Sequence, residues 1–452
     1  MPPDKIDSLD DELKGLVLAM LRRSDDLLDE NKVLRARIAE LEAQLGKPPK
    51  TPDNSSLPPS RGQKANGEAK TSAGAMRRKG HAGVTRALAE NPDATRDIRP
   101  SRCACGTALT GIDVELARAF DHIDLPPIKP VVTRVNLFRA TCPCCRARTT
   151  AAAPADMPEG TPFGPGIAAA VAYLHGCHMV GYRRLVELCD GLFGLTISEG
   201  AIANMLARVG KPFAAAADKI ADEVRASAVI ASDETSARVC KKTWWQWTFG
   251  CATAVYHVIA PSRGKAVPVD FLGATKPKVW LSDRYAAQAG LADAHQVCLA
   301  HLLRDAQYAI DHGDSVFAPQ FKAFLKDACA VGRKRPDIGD ATIAAHRRRL
   351  SRELDRLLDL EPTDAEGRHL RDAMIVDARD KLLVFLTRRD VEPTNNESER
   401  ALRPSVIFRK VTNGFRSTWG AKVYADLCSI VGTGRRNGRS PLDAIRDNLT
   451  PA

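Results

Sequence analysis

Apolar residues recur every seven positions near the N-terminus, and this repeat predicts the first structural element. The main row consists of Leu13, Met20, Leu27, Leu34 and Leu41. The second row of the repeat is mostly apolar but contains the polar Asn31. A heptad seam with one buried Asn is typical of parallel two-stranded coiled coils, so residues 8–46 predict a leucine-zipper-like coiled coil and hence a homo-oligomer. An amphipathic helix packed on its own chain is the alternative.

The composition changes abruptly after residue 46. Residues 47–95 are rich in Pro, Gly, Ser and Lys and contain few large apolar side chains. Such a segment cannot bury enough apolar surface to offset the entropy lost on ordering, so it predicts a basic, disordered linker. Its cluster Arg77–Lys79 either contacts phosphate or belongs to a solvated tail.

Five of the twelve cysteines fall within residues 96–150, in the motifs CAC and CPCC. Two close pairs of thiolates separated by a few dozen residues can surround one Zn²⁺ ion as a tetrahedron. This segment is therefore predicted to be a zinc-binding unit with a structural Zn²⁺, and a set of plain buried thiols is the alternative. The predicted ligands are Cys103, Cys105, Cys142 and Cys145, with Cys144 as the competitor for the last position.

Residues 160–215 have helical periodicity. They predict helices on either side of a turn at Gly194, with Ser198 as the N-cap of the second. A helix, a tight turn and a helix that carries Asn204 and Arg208 resemble a helix-turn-helix. Many helical hairpins share this pattern, so DNA contact and plain packing both stay open.

From about residue 225 the pattern becomes α/β. Short apolar runs predict strands, and charged helical periodicity dominates the region of about 310–390. The predicted fold class is therefore multidomain, with α and α/β parts. Two of the apolar runs, AVIAS and VWLS, end at Asp233 and Asp283. The carboxyl ends of strands in open α/β sheets are where ligand sites are built, although a lone Asp there is often only a turn former.

The segment PTNNESERALRP supplies a matching glutamate. Thr394 and Glu397 have the spacing of a capping box, which assigns Glu397 to structure and begins a helix at Asn395. Glu399 then shares one helix face with Asn395 and Arg403, so it is the better ligand candidate. An exposed helix with ordinary salt bridges is the alternative. The predicted neighbours of Glu399 are Asn395, Asn396 and Arg403.

Three carboxylates, Asp233, Asp283 and Glu399, can hold two divalent cations about 3.5–4 Å apart. One cation activates the attacking oxygen of a phosphodiester reaction, and the other stabilises the leaving oxygen. Hard oxygen ligands suit Mg²⁺ or Mn²⁺, whereas thiolates suit zinc. The residues therefore predict a catalytic two-metal site alongside a structural zinc site.

The formal net charge of +11 favours a polyanionic partner. Between residues 400 and 439, nine Lys or Arg residues stand against one acid, Asp426. This excess predicts contacts with a DNA backbone, and a solvated basic face is the alternative. The predicted DNA-binding residues are Arg400, Arg409, Lys410, Arg416, Arg435 and Arg436. The sequence has no apolar run of about 18 residues and no signal peptide, which predicts a cytoplasmic, nucleoid-associated protein without a membrane partner.

Taken together, these segments resemble the insertion sequence 66 family of DDE transposases. The resemblance covers nearly the whole chain. The most specific segment is NNESERALRPSVIFRK at 395–410, and the others are NSSLPPS at 54–60, SDETS at 232–236, SDRYAA at 282–287 and CLAHLLRDA at 298–306. The resemblance implies a ribonuclease-H-like catalytic domain at 225–450 with a helical insertion. It also implies the triad named above, with His301 and Arg304 as active-site neighbours.

The resemblance further implies the reaction and its partners. The substrate would be the terminal inverted repeats of the mobile element, hydrolysed at the element ends before the freed 3′-hydroxyl attacks target DNA. The partners would be element ends and target DNA, and a need for accessory proteins of the same element stays open. Two other functions stay open: a non-catalytic zinc-containing DNA-binding regulator, and a ribonuclease-H-like nuclease.

Overall fold

The computed structural model describes residues 11–44, 50–51, 54–55 and 86–449. Some residues of the sequence predictions lie outside what the structure describes. They are the heptad side chains Leu13 and Leu41 and the basic cluster Arg77–Lys79. The chain is a mixed α/β protein that divides into two compact units, Met1–Gln63 with Thr133–Glu187 and Thr196–Ala452, and Lys64–Val132 with Leu188–Leu195. Within the described ranges, no helix combines the length and apolarity that crossing a bilayer requires.

The first element is a long helix, α1 (Asp11–Gln44), which covers most of the predicted coiled coil. Its apolar side chains at Met20, Leu27 and Leu34 are exposed on the single chain. Asn31 bonds within the helix, because its Nδ2 donates to the carbonyl oxygen of Leu27 at 3.2 Å. Pairing of α1 with a second chain stays a prediction.

Asn54 departs from the disordered linker predicted for its segment. Its side chain is only 4% exposed. The Nδ2 atom donates to Asp311 Oδ2 at 2.9 Å, and Oδ1 accepts from the Thr51 N–H at 2.6 Å. The Lys50 ammonium lies 5.5 Å from the centre of the Tyr308 ring. We call Lys50, Thr51, Asn54 and Ser55 the N-terminal anchor. Composition misses it because one buried amide hardly changes the overall polarity of a segment.

The cysteine-rich segment contains little regular structure. Strands β1 (Arg139–Thr141) and β2 (Arg148–Thr150) form an antiparallel hairpin. The strand before CPCC therefore spans only three residues. Between residues 86 and 132, the described chain has no helix and a single isolated bridge between Arg102 and Ala108.

Three helices follow: α2 (Pro165–His178), α3 (Tyr182–Phe193) and α4 (Glu199–Arg225). Ser198 is the N-cap of α4, as the sequence predicts, because its Oγ accepts from the Ala201 N–H at 3.1 Å. Gly194 adopts a left-handed conformation with φ 60°, which a glycine tolerates without strain. Helix α4 continues ten residues beyond the predicted helical region and buries apolar side chains, including Val224, along its whole length.

A five-stranded mixed sheet follows α4. Its strands are β3 (Val229–Val239), β4 (Lys242–Gly250), β5 (Val255–Ala260), β6 (Val279–Ser282) and β7 (Ala294–Val297). The order is β5-β4-β3-β6-β7, with β3, β4 and β5 antiparallel and β6 parallel to both β3 and β7. Side chains alternate across each strand, so the two faces have separate cores. One core contains Ile230, Trp247 and Trp280, and the other contains Val279 and Val297.

Helices pack on both faces of the sheet. The first five are α5 (Ala266–Leu272), α6 (Leu299–Asp311), α7 (Phe317–Lys334), α8 (Asp340–Leu358) and α9 (Ala365–Ala373). In the region of the predicted insertion, α7, α8 and α9 are followed by short helical turns from Met374 to Leu386. The chain then returns to the sheet through α10 (Asn396–Thr412), α11 (Thr418–Arg436) and α12 (Pro441–Asp447).

A buried carboxylate organises the start of the helices after α6. Asp314 is 1% exposed, and its oxygens accept from the N–H groups of Ala318 at 2.7 Å, Val316 at 3.2 Å and Thr363 at 3.0 Å. Burial alone would raise the pKa of Asp314, but the N–H groups of Thr363, Ala318 and Val316 outweigh it and hold the pKa below its ordinary value. This side chain therefore joins the start of α7 to the segment before α9.

Replacing this carboxylate should destabilise the fold in a pH-dependent way. We expect Asp314→Ala to lower the free energy of unfolding by about 3 kcal/mol at neutral pH, because several buried N–H groups lose a charged acceptor. An acid with a lowered native pKa stabilises the fold above its unfolded-state pKa and loses that contribution as pH falls through the native value. The difference from the unchanged protein should therefore shrink below about pH 4. Urea unfolding at several pH values measures it, and a pH-independent difference would contradict this account.

Candidate active site

Asp233 lies inside a strand rather than at its end. The parallel pairing of β3 with β6 stops at Ala231 and Leu281, but β3 continues to Val239 through its antiparallel pairing with β4. The sequence prediction of a strand that ends at Asp233 is therefore wrong. It failed because polar residues after AVIAS look like a turn, although β4 supplies their backbone partners. Asp233 still stands where the parallel part of the sheet ends.

Asp283 directly follows β6, as the sequence predicts. Its Oδ1 accepts from the Tyr285 N–H at 2.9 Å, which holds the carboxylate in the first turn after the strand. The neighbouring Ser282 donates its hydroxyl to the carbonyl oxygen of Asp283 at 2.9 Å. Strand alternation puts Asp233 and Asp283 on the same face of the sheet, because they follow the paired residues Ala231 and Leu281 at equal spacing.

Glu399 lies in the first turn of α10, but the predicted capping box is absent. The helix begins at Asn396, and the preceding Asn395 caps it without a side-chain hydrogen bond. Glu397 instead forms an ion pair with Arg436 NH1 at 3.1 Å, so its side chain turns away from Thr394. The prediction assigned Glu397 to structure correctly but named the wrong contact, because an Arg some forty positions later competes for the carboxylate.

The carboxylate of Glu399 faces α6. Its Oε1 lies 3.8 Å from His301 Nδ1 and 3.6 Å from Arg304 NH2. Both distances exceed the length of a hydrogen bond, and no residue in the described part of the chain donates to the buried Glu399 Oε1. His301 and Arg304 are one turn apart on the same helix face, immediately after β7 and the N-cap Cys298. The structure thus brings Glu399 together with the two neighbours that the resemblance implies.

The acids are close enough to affect one another electrostatically. Burial raises the pKa of Asp233 well above its ordinary value, and the charges of Glu234, Asp283 and Glu399 raise it further. Among the residues that the structure describes, however, no three His, Cys, Asp or Glu side chains are close enough to enclose a metal ion as they stand. The triad is therefore an acidic cluster, and its metal ions stay a proposal.

Asn395 connects the three elements that carry the site. It is 1% exposed, and its Nδ2 donates to the carbonyl oxygen of Ser232 on β3 at 2.7 Å. Its backbone N–H donates to the thiol sulfur of Cys298 at the start of α6 at 3.1 Å. Asn395 therefore fixes the start of α10 next to Asp233. Its predicted companions Asn396 and Arg403 are exposed and make no such connection.

The sequence analysis missed a buried network beside the acids. Glu234 has a side chain that is 1% exposed, and its Oε1 accepts from Arg263 NH2 at 2.8 Å. Its Oε2 accepts from Gln288 Nε2 at 2.8 Å. The Arg263 guanidinium lies over the rings of Tyr285 and Trp245, at 4.0 and 4.7 Å. The motif SDET was a signal, because two adjacent acids on a strand point to opposite faces and each needs its own partners.

The predicted DNA-binding residues fall into two groups. Arg409 donates to the carbonyl and hydroxyl oxygens of Ser236, and Arg436 pairs with Glu397 and donates to the carbonyl of Cys251. These two guanidinium groups support α10 and α11 internally, which an excess of basic residues cannot reveal. The other four predicted residues have exposed side chains: Arg400, Lys410, Arg416 and Arg435.

The cysteine motifs form two local turns, one in each compact unit. In one, the Thr107 hydroxyl and N–H lower the pKa of Cys105 to about 7. In the other, the N–H groups of Cys145 and Cys144 lower the pKa of Cys142. Both turns therefore favour thiolates. Within the described residues these cysteines form no three-ligand group, so zinc binding stays a prediction.

The acids lie where the parallel pairing of β3 with β6 ends, in a mixed α/β fold. Comparison with known families identifies it further. The family model described as "Transposase IS66 family" matches residues 160–423, more than half of the chain. The protein therefore belongs to this family, as the sequence segments predict.

One curated relative is similar over a comparable length. It is "Uncharacterized protein y4qI" of Sinorhizobium fredii (strain NBRC 101917 / NGR234), 25% identical over 296 residues. The match covers 57% of this chain and 54% of that protein. The chain thus spans about half the length of the curated relative it matches.

Loss of the cation Arg263 should destabilise the fold more than loss of the anion Glu234. We expect Arg263→Ala to lower the free energy of unfolding by about 3 kcal/mol, because it leaves a buried carboxylate without its cation. Glu234→Gln should cost less, since the Gln side chain keeps a bond to Gln288 and Arg263, which is 41% exposed, can turn to water. Chemical denaturation of both variants and the double variant tests this. Equal losses in the two single variants would contradict it.

Proposed function

We propose that the protein is a DDE-type transposase, which cleaves DNA at the terminal inverted repeats of an insertion sequence and joins the freed 3′-hydroxyl to target DNA. The observation that carries the proposal is the buried Glu399 Oε1, to which no described residue donates a hydrogen bond. The charges of Glu399 and Asp283 both raise the pKa of Asp233. Membership of the transposase family supports the same chemistry. The order of the mixed sheet, β5-β4-β3-β6-β7, supports a ribonuclease-H-like catalytic domain.

The residues fit divalent magnesium or manganese. Asp233, Asp283 and Glu399 offer only carboxylate oxygens, which are the ligands that these hard cations prefer. A buried carboxylate oxygen without a hydrogen-bond donor is costly. Among the described residues Glu399 Oε1 has no donor, and Arg304 lies 3.6 Å from it. When bound, two such cations supply activation of the attacking oxygen and stabilisation of the leaving oxygen.

The chain's own residues position and charge this site. Asn395 ties the start of α10 to β3, and so sets the distance between Glu399 and Asp233. Arg304 lies beside Glu399 and contributes positive charge where a DNA phosphate would approach. The same acids would serve hydrolysis by water and then transesterification by the DNA hydroxyl, so the reaction needs no covalent bond between protein and DNA.

Two further features support assembly of a transposase. The lowered pKa values of Cys105 and Cys142 favour the thiolate form that a structural Zn²⁺ ion binds. The exposed heptad residues of α1, including Met20, Leu27 and Leu34, would be buried by pairing two chains as a coiled coil. A dimer would match the two ends of one element.

Cleavage of a repeat-end duplex tests the proposal. We expect Asp233→Asn, Asp283→Asn and Glu399→Gln each to lower Mg²⁺-dependent cleavage on the order of a thousandfold or more, since each removes a ligand from the charge-stabilising site. Glu397→Gln is the matched control, because it changes an acid one half-turn away that pairs with Arg436. It should keep cleavage within a few-fold of the unchanged protein.

The products separate the remaining functions. EDTA should stop the reaction, and incubation with target DNA should yield joined products. Cleavage of RNA–DNA hybrids without joining would instead indicate a nuclease. If the Asp233→Asn variant bound DNA and still released element ends at an undiminished rate, the triad would have no part in the mechanism.

The acidic cluster should also limit the stability of the metal-free protein. Burial and like charges disfavour the ionised Asp233, so we expect Asp233→Asn to raise the melting temperature in EDTA. Added Mg²⁺ or Mn²⁺ should raise the melting temperature of the unchanged protein but not that of the variant, because binding stabilises only a competent site. Differential scanning calorimetry measures both effects. A lower melting temperature for Asp233→Asn in EDTA would contradict this account.

A further inference from the structure

A basic cleft lies at the far end of β3 from Asp233. It has a volume of about 340 Å³ and is lined by Arg238, Cys240, Lys241, Asn413, Phe415 and Arg416. We call it the hairpin cleft, because it lies where the β3–β4 turn meets the segment between α10 and α11. Of its three cations, only Arg416 was anticipated from the sequence.

The chain builds this cleft with unusual backbone geometry. The two-residue turn between β3 and β4 consists of Cys240 and Lys241, both left-handed, with φ of 48° and 65°. Such turns usually contain Asn or Gly, because a left-handed conformation is unfavourable for other residues by about 1–2 kcal/mol each. A Cys-Lys turn is therefore locally disfavoured, and backbone strain of this kind tends to persist at functional sites.

The opposite wall is fastened to the strand. The Phe415 N–H donates to the carbonyl oxygen of Arg238 at 2.7 Å, and the Cys240 N–H donates to the carbonyl oxygen of Phe415 at 2.9 Å. Gly414 has φ +90° and approaches Arg238 so closely that a Cβ atom there would collide with its carbonyl oxygen. The wall is therefore held by backbone bonds and by the packing of Phe415 on Phe408 and Tyr424. The exposed side chain of Arg416 is left to contact a ligand.

The charge of the cleft is one-sided. Arg238, Lys241 and Arg416 are all exposed. Among the described residues none of these three has an ion-pair partner. The sequence contains no acid from 235 to 248 or from 400 to 425, the stretches that form both walls. Three like charges held together repel one another, and an anion with several oxygens relieves that repulsion.

The cleft is separate from the acidic triad. Arg238 lies five positions after Asp233 on β3, which corresponds to about 17 Å at about 3.4 Å per residue. The unbroken register of β3 and the odd spacing put these two side chains on opposite faces of the sheet. A ligand at the cleft is therefore bound independently of the acids.

We propose that the hairpin cleft binds backbone phosphates of duplex DNA, as a contact separate from the acidic triad. This inference rests on the proposed function, since it assumes a DNA substrate. Arg238 and Arg416 present planar guanidinium groups that suit phosphate oxygens, and Lys241 adds a point charge. The contacts are to the backbone alone, so they position the duplex without reading its sequence.

Salt-dependent binding tests the cleft. The full chain with Asp233→Asn, which separates binding from cleavage, is titrated with a fluorescent 30-base-pair duplex at several salt concentrations. Adding Arg238→Gln, Lys241→Gln and Arg416→Gln should weaken binding by about tenfold or more and reduce the salt slope by about two to three. The matched control changes three exposed cations on α7: Lys326, Arg333 and Lys334 to Gln. It should leave both quantities unchanged.

Chemical protection tests the same site without altering its charge. Cys240 lies in the cleft with an exposed side chain, so maleimide should label it in the protein with all three cations intact. We expect the duplex to slow this labelling at least several-fold, with Cys251 as the internal reference in mass-spectrometric peptide mapping. Inorganic phosphate at equal ionic strength should protect Cys240 far less.

The outcomes separate the two proposals. If the cleft variant and the α7 control had equal affinity and equal salt slope, the proposed DNA contact at the cleft would be overturned. The proposed transposase activity would not be affected by that result. Equal protection by inorganic phosphate would make the cleft a site for small anions and overturn a DNA subsite. If the full chain bound no duplex even at low salt, the proposed function itself would fall.

Discussion

The site depends on one buried amide. Asn395 donates from its side chain to the backbone of Ser232 and from its own N–H to Cys298. These contacts join a helix, a central strand and the start of a second helix at the position where negative charges must approach one another. Burial and repulsion both oppose that approach, as the raised pKa of Asp233 shows. The amide is neutral, so it can hold Glu399 in place without neutralising it.

Much of this arrangement follows from local sequence patterns. Two apolar runs that end in acid predict strands with carboxylates at the sheet edge, and the structure puts Asp233 and Asp283 on one face. Ser198 predicts a helix start by its own chemistry, since an N-cap is a contact between residues three positions apart. Such features are predictable because cause and effect lie within one or two turns.

The failures have a common physical origin. Local rules pair Glu397 with Thr394 because they consider only neighbouring positions, whereas Arg436 contacts Glu397 from another helix. The pattern predicts a strand end at Asp233 because the residues that extend the strand pair with β4, which comes later in the chain. Glu234, Arg263 and Gln288 come together from three segments, and nothing in any one of them predicts the other two. Long-range polar contacts depend on the completed fold.

The N-terminal anchor limits how far the end of α1 can lie from the sheet domain. Helix α1 ends at Gln44, and the anchor begins six positions later at Lys50, against the C-terminal end of α6. Six residues span at most about 20 Å, whatever their conformation. Since the local concentration of tethered partners falls steeply with tether length, so short a tether would keep two sheet domains close together if their α1 helices paired. Any partner bound to the end of α1 would therefore stay within that distance of the sheet domain.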